Sequence, residues 1–516
     1  MKKLTKAEKS WVFYDWANSV YATIIMAAVF PIYFSGVAKT AGFAGDVFWG
    51  YATSAATFIV AICAPILGAI GDYKGMKKRL FTGFLFTGVS FTLIMAITDK
   101  PVLMLIGYGI SYIGFAGGNL FYDSFLTDVS KPENMDRVSS YGYAMGYIGG
   151  STIAFAISIV LIMFGHNFGI DSIMAVKLSV VLTSLWWIVF SIPMLKNVKQ
   201  NYYVDVPPSR LASHALENLK STAKNILSDK KMLFFILAYF FYIDGVNTVI
   251  HMATAYGSTL GLGSTGMILA LMVTQLVAVP CSLLFSRLSS KVGTVNMLLA
   301  GIVIYISVCF LGFYMGFSLE PHQFKYEEGF VQVLEENNNG LSSDAFDRLK
   351  NEGLSILSSS DRTAEFIEIT ESVKEAFPTD AAKIDAVKTA ASAYLSDEAK
   401  STDFDSALGF SSTLFWILAV LVGTSQGGMQ ALSRSFFGKI IPPERSNEYF
   451  GFFDIFGKFA AVIGPALYAG FAHLTGRSSI GILSLLILFV IGGGVLFIGR
   501  KHFGESPTRE KISVEE

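Results

Sequence analysis

Trp11 to Phe34 reads WVFYDWANSVYATIIMAAVFPIYF. A membrane-crossing helix needs about 20 predominantly apolar residues, and this stretch supplies them, yet it carries Asp15 and Asn18 one helical turn apart. A charge at the centre of such a helix costs about 2.5 to 3.5 kcal/mol on insertion scales, so something must offset it. The pattern returns 229 residues later as FYIDGVNTVIH, with Asp244 and Asn247 at the same spacing. Asp-x-x-Asn-(Ser/Thr)-Val therefore opens each half of the chain, as expected of an internally duplicated membrane carrier.

Composition bounds the function classes. Of 516 residues, 52% are apolar and only 15% charged, and mean hydropathy is +0.51, too apolar for a soluble chain of this size. Net charge is −1, which leaves no basic surface for nucleic acid, and no zinc spacing or basic helix revives that class. The average hides a split: residues 318–408 hold 19 acids against 8 bases, and the remainder 21 acids against 31 bases. Cys63, Cys281 and Cys309 each sit inside an apolar run, so neither disulfides nor a metal centre is expected. No cofactor motif is found. Gly423-Thr-Ser425-Gln-Gly427 and Gly261-Leu-Gly-Ser-Thr-Gly266 copy a nucleophile elbow and a dinucleotide fingerprint, but neither follows a strand, as both mechanisms require. An enzyme is not expected.

Counting about 20 apolar residues per span gives twelve, near 12–34, 47–70, 80–98, 102–121, 140–164, 173–195, 231–257, 264–286, 294–317, 409–431, 448–472 and 479–499. Backbone amides in lipid need partners within the segment, so these are helices. The predicted fold is all-α, with twelve transmembrane helices in two pseudo-symmetric six-helix bundles: residues 1–195 form the first, and 231–317 with 409–499 the second. Residues 196–230 link them, 318–408 form an acidic, extracytosolic helical insertion, and 500–516 a tail. The N-terminus, the loops after spans 2, 4, 6, 8 and 10 and the tail hold 26 Lys and Arg, whereas the opposite loops outside the insertion hold only Lys39, Lys100 and Arg477. Both termini are thus expected in the cytosol, with the chain in the cell membrane. Leu211–Leu227 has the spacing of an amphipathic surface helix. Within the insertion, Ser342–Leu357, Asp361–Phe377 and Thr379–Leu395 have helical spacing.

Between spans 2 and 3 runs Gly68-Ala-Ile-Gly71-Asp72-Tyr-Lys74-Gly75-Met-Lys77-Lys78-Arg79, which matches the G-x-x-x-D-x-x-G-x-[RK]-[RK] signature of the major facilitator superfamily. Glycines permit the tight turn, Asp72 can face a helix N-terminus, and Lys77 and Lys78 face the cytosol. The counterpart Ser286 to Gly293 keeps the last glycine but has Ser290 where the acid would be. Tyr14-Asp15-Trp16-Ala17-Asn18-Ser19, Gly142–Gly150, Gln426–Ser435 and Phe450–Lys458 further resemble the family of the autophagy-related vacuolar amino-acid effluxer. The resemblance covers nearly all spans but not 318–408. It implies two bundles rocking by alternating access and export of amino acids or similar small solutes, with spans 1, 4, 7 and 10 lining the path.

On that scheme the candidates for binding solute or protons are Asp15, Asn18, Asn119, Asp123, Asp244, Asn247, His251, Gln426, Gln430 and Lys458, with Gly68, Asp72, Gly75, Lys77 and Lys78 as the cytosolic gate. Each has a plainer alternative. Asp15 and Asp244 can serve helix packing, Lys458 can pair with Asp454 on its own helix, and His251 can be a hydrogen-bonded packing residue. The expected function is a secondary transporter of a small polar solute through the lipid bilayer, with proton coupling as a hypothesis. The alternatives are a non-transporting receptor or scaffold whose acidic insertion binds an extracytosolic partner, and an exporter of lipids or amphiphiles.

Overall fold

The computed structural model describes residues 3–40, 45–205 and 221–503. Among the described residues, twelve helices long and apolar enough to span a membrane follow in order: α1 Lys6–Ala38, α2 Phe48–Gly71, α3 Met76–Ile97, α4 Pro101–Val129, α5 Pro132–Phe168, α6 Ser172–Asn197, α7 Lys230–Thr259, α8 Gly266–Val292, α9 Thr294–Glu336, α10 Glu398–Ile440, α11 Pro443–Thr475 and α12 Ser478–Phe503. All twelve expected spans are present. No strand occurs among the described residues, only one isolated bridge between Tyr73 and Val204. Large apolar side chains such as Ile97, Phe168 and Leu474 remain exposed, as a lipid-facing surface requires. The amphipathic helix expected at Leu211–Leu227 falls partly outside the described residues, although 221–228 are helical.

Helices α1 to α6 pack among themselves, α1 on α5 and α6 and α4 on α2 and α3, while α7 packs on α11 and α12 and α10 on α8 and α9. Contact between the two groups runs chiefly through α2 on α11 and α5 on α8, with α4 on α11 and α5 on α10 beside them. Adding six to each number exchanges these pairs, so the packing repeats the duplication seen in the sequence. The first and last described segments lie at one end of the molecule: Ser130 after α4 donates to Glu8 at 3.2 Å, and His502 stacks on Phe234 at the start of α7.

Helices α9 and α10 are 43 residues each, roughly 65 Å at 1.5 Å per residue, about twice a hydrocarbon core. Their apolar parts match the expected spans, but the helices do not stop where hydropathy falls, because loss of apolar character marks the lipid boundary and not a helix end. They run on as two struts carrying three short helices, Ser343–Ser355, Arg362–Ala376 and Ala381–Leu395, close to the spacings read from sequence. Tyr326 on one strut stacks on Tyr394 of the cap and on Phe404 of the other strut, at 5.3 and 5.2 Å. Glu320 accepts from the Ser479 amide at 2.7 Å and its hydroxyl at 2.6 Å, so the strut also caps the start of α12.

Candidate functional site

The polar groups sunk in α1 meet their partner across the seam. Arg434 of α10 is 3% exposed. Its Nη1 donates to Asp123 Oδ1 at 2.9 Å, its Nη2 to Asp15 Oδ2 at 3.3 Å and to the Ser139 carbonyl at 3.1 Å, and its Nε to Ser139 Oγ at 2.9 Å. One planar fork thus joins α10 to α1, α4 and α5, a geometry that a lysine could not reproduce. Trp11 and Tyr143 lie against the guanidinium at 4.7 and 4.5 Å, which offsets further desolvation cost. The Tyr122 hydroxyl donates to Asp15 Oδ2 at 2.7 Å. Close approach of α5 requires Gly142, where a Cβ would stand 2.3 Å from Asp15 Oδ2.

Beside this bridge is a cavity of about 260 Å³ between the two groups of helices. Its polar lining comes from Asp123, Arg434, Asn247, Gln430, Asp454 and Lys458. Lys458 forms an ion pair with Asp454 one turn earlier, and Tyr147 donates to Gln430 at 3.5 Å. Two carboxylates, two cations and two amides therefore share one chamber, a set able to hold both ends of a small zwitterion.

Other sequence candidates lie elsewhere. Asn18 donates to Asn119 at 2.6 Å, tying α1 to α4. Asp244 is fully buried and accepts from the Gly464 amide of α11 at 2.8 Å and from Thr248 at 3.4 Å. The missing side chain at Gly464 makes that approach possible, since a Cβ there would lie 2.0 Å from Thr248 Oγ1. The two related acids thus have different partners, Arg434 for Asp15 and the Gly464 amide for Asp244. His251 is exposed on α7 and does not line the cavity. Gln426 lines a second, apolar chamber of about 80 Å³ with Gln275, Tyr256 and Met315. Arg434, within the Gln426–Ser435 stretch that ends the tenth span, is not among the sequence candidates; two acids inside spans with no cation beside them in the chain are the signal that could have found it.

The gate candidates come together at the end carrying the start of α1 and the end of α12. Asp72 Oδ1 accepts from the backbone and side-chain amides of Asn447 at 2.8 and 2.7 Å, and Oδ2 from the Glu448 amide at 3.0 Å, so it caps the N-terminus of α11. Burial pushes Asp72 up to about 7, against the opposing pull of Lys77 and the α11 donors. Lys77 is fully buried and donates to Asp128 at 2.7 Å and Ser446 at 2.8 Å. Gly68 lets the helices touch: a Cβ would lie 2.3 Å from the Asn447 carbonyl. Gly75 takes φ +75°, which favours glycine, and Lys78 donates to the Val198 carbonyl at 2.8 Å. The segment after α6 straps this loop, with Val204 N on the Asp72 carbonyl at 2.8 Å and Asn201 N on Asp128 at 2.6 Å. At the related contact, where Ser290 replaces the acid, Asp136 of α5 supplies it instead. It accepts from Ser289 at 3.1 Å, Thr294 at 2.8 Å and Lys439 at 2.5 Å.

Residues 45–332 and 406–504 match the family described as "Vacuole effluxer Atg22 like". The chain is 38% identical over 499 residues to the "Uncharacterized MFS-type transporter YxiO" of Bacillus subtilis, covering 95% of this chain and 94% of that one. It is 23% identical over 368 residues to autophagy-related protein 22 of Cryptococcus neoformans, covering 69% of this chain and 51% of the relative. Among solved structures, the human organic anion transporter MFSD10 superimposes with TM-score 0.56 at 12% identity, covering 95% of this chain and 99% of that one. The proton:xylose symporter XylE gives TM-score 0.57 at 9% identity, covering 96% and 95%. At these identities the structures speak to the fold alone.

Proposed function

The chain belongs to the Atg22-like vacuole effluxer family of MFS-type transporters, and on that premise we propose that it is a secondary carrier of a small polar solute, amino acids or related compounds first among them. Residues 1–195 on one side and 231–317 with 409–499 on the other rock about the cavity by alternating access. The observation that carries this proposal is the chamber itself, in which Arg434 and Lys458 can meet a carboxylate while Asp454 can meet an ammonium group. Export is the proposed direction and protons the proposed coupling ion, the latter supported by carboxylates at the bundle seam. The charge bias of the loops supports a cell-membrane location with cytosolic termini, which puts the 318–408 cap outside, open to an extracytosolic partner.

An exporter of amphiphiles is the competing function, favoured by the apolar chamber that Gln426 helps to line. Liposomes holding the purified protein, loaded with labelled amino acids, peptides, sugars or lysolipids and tested with and without a pH gradient, separate the two. Gradient-driven movement of amino acids is the expected result; movement of lysolipids alone would overturn it.

A further inference from the structure

We infer that Asp123 and Arg434 form a proton-exchanged carboxylate site, in which a carboxylate takes the Nη1 edge of Arg434 as Asp123 accepts a proton and withdraws. The inference rests on the carrier function proposed above and adds to it the coupling atom. Charge is its first support. Asp15 and Asp123 share one guanidinium, while Asp454 and Lys458 across the cavity neutralise each other. An incoming carboxylate would make three negative charges around Arg434 unless one of the first two is protonated, so one proton enters with each carboxylate.

Geometry selects which acid yields. Asp15 is 12% exposed at its side chain and is also held by the Tyr122 hydroxyl at 2.7 Å. Asp123 is 30% exposed at its side chain, lines the cavity, and meets Arg434 through Nη1. When Asp123 leaves, Nε and Nη2 still hold Ser139 and Asp15, and Trp11 and Tyr143 still flank the guanidinium. Arg434 is therefore left in place with one free edge, which faces the chamber. The other groups around Asp123 are Tyr122 on its own helix, Tyr239 of α7 and the Asp454–Lys458 pair of α11, none of which offers an unpaired cation. The one covalent bond formed is the O–H at Asp123, whose proton is taken from hydronium of the bulk solvent and leaves water behind; the Nη1–H···Oδ1 contact with Arg434 is given up to the incoming carboxylate.

The test uses the full chain in lipid nanodiscs, with acetate as the probe and methylammonium as its control. Trp11 emission, taken as the difference between wild type and W11F, reports on the guanidinium, and infrared difference spectra between pH 8 and pH 5 count protonated carboxyls. Wild type should bind acetate about tenfold more weakly per pH unit above the midpoint of Asp123. Asp123→Asn should lose one carboxyl band and bind acetate within twofold at both pH values, and Asp123→Glu should restore the pH dependence. Methylammonium should leave the emission unchanged. PH-dependent acetate binding that survives in Asp123→Asn, a band lost in Asp15→Asn instead, or acetate that binds neither protein would each overturn the inference. Failure of amino acids to move in liposomes would count against the proposed solute while leaving the acetate result to stand or fall alone.

Discussion

One oxygen of Asp72 accepts both amides of Asn447, the backbone at 2.8 Å and the side chain at 2.7 Å, across the seam between the loop after α2 and the first turn of α11. This contact closes the end of the molecule that carries the start of α1 and the end of α12, and it is made of groups that must part if that end is to open. Asp72→Ala should weaken closure by about 1 to 2 kcal/mol, the upper range for a lost cap. A cysteine at the fully buried Ser446 should then react with a thiol reagent about 5 to 30 times faster. Because burial holds Asp72 at about 7, above its ordinary 3.8, the closed form binds the proton more tightly. Its contribution is complete below about pH 4 and lost as pH rises through 7, so labelling should speed up with pH and Asp72→Ala should flatten that profile.

Lys77 and Asp128 form a pair 2.7 Å apart with both side chains fully buried. Removing one partner of such a pair costs about 3 to 5 kcal/mol, because the other is left charged and unpaired. Lys77→Met should therefore lower the thermal unfolding midpoint sharply. Asp128→Asn added to it should recover part of the loss. Equal midpoints for the single and double variants would show that the charge pairing is not what holds the loop.

Where α2 crosses α11, a Cβ at Gly451 would lie 2.7 Å from the Ala64 carbonyl. Backbone cannot move aside as a side-chain tip can, so Gly451→Ala should push the helices apart at a cost of about 1 to 3 kcal/mol. Gly83→Ala, with open space around its Cβ, is the control. The first should raise labelling of a cysteine at 446 and slow transport; the second should change neither.

In the cap, Asp380 accepts from the Ser342 amide at 3.1 Å and its hydroxyl at 2.6 Å, and from Lys383 at 2.9 Å. The Ser342 hydroxyl and Lys383 together hold its carboxyl at about 2, below its ordinary 3.8. A depressed carboxylate stabilises the fold above the unfolded value and loses that effect as pH falls. Protease resistance of the cap in the intact protein should hold above about pH 4 and decline toward pH 2. In Asp380→Ala it should be lower at neutral pH and change little on acidification.

The twelve spans, the duplication and the Asp72 loop were legible because each is written in neighbouring residues: apolar runs of fixed length, a repeated Asp-x-x-Asn, glycines around an acid. The site was less so. Asp15 finds its cation 419 positions away at Arg434, and Asp244 finds a bare backbone amide at Gly464, pairings that no local spacing encodes. Ser290 looked like a lost contact, yet the acid is present at Asp136 on the other partner. The motif counterpart has Ser290 at the acid position, and the junction takes its acid from α5 instead, because pseudo-symmetry conserves the meeting of helices and not which one supplies the charge. The lengths of α9 and α10 were hidden for a related reason, since hydropathy reports the surrounding solvent while the helix continues through it.

The central claim is that two bundles rock about the chamber between them, and two distances test it most directly. Spin labels at the exposed Glu133 and Glu444 report the end carrying the start of α1 and the end of α12, and labels at the exposed Lys100 and Thr475 report the opposite end. Measured by electron–electron double resonance in nanodiscs across pH and with a transported solute, the first distance should lengthen as the second shortens. Distances that stay fixed, or that lengthen together, would contradict the account.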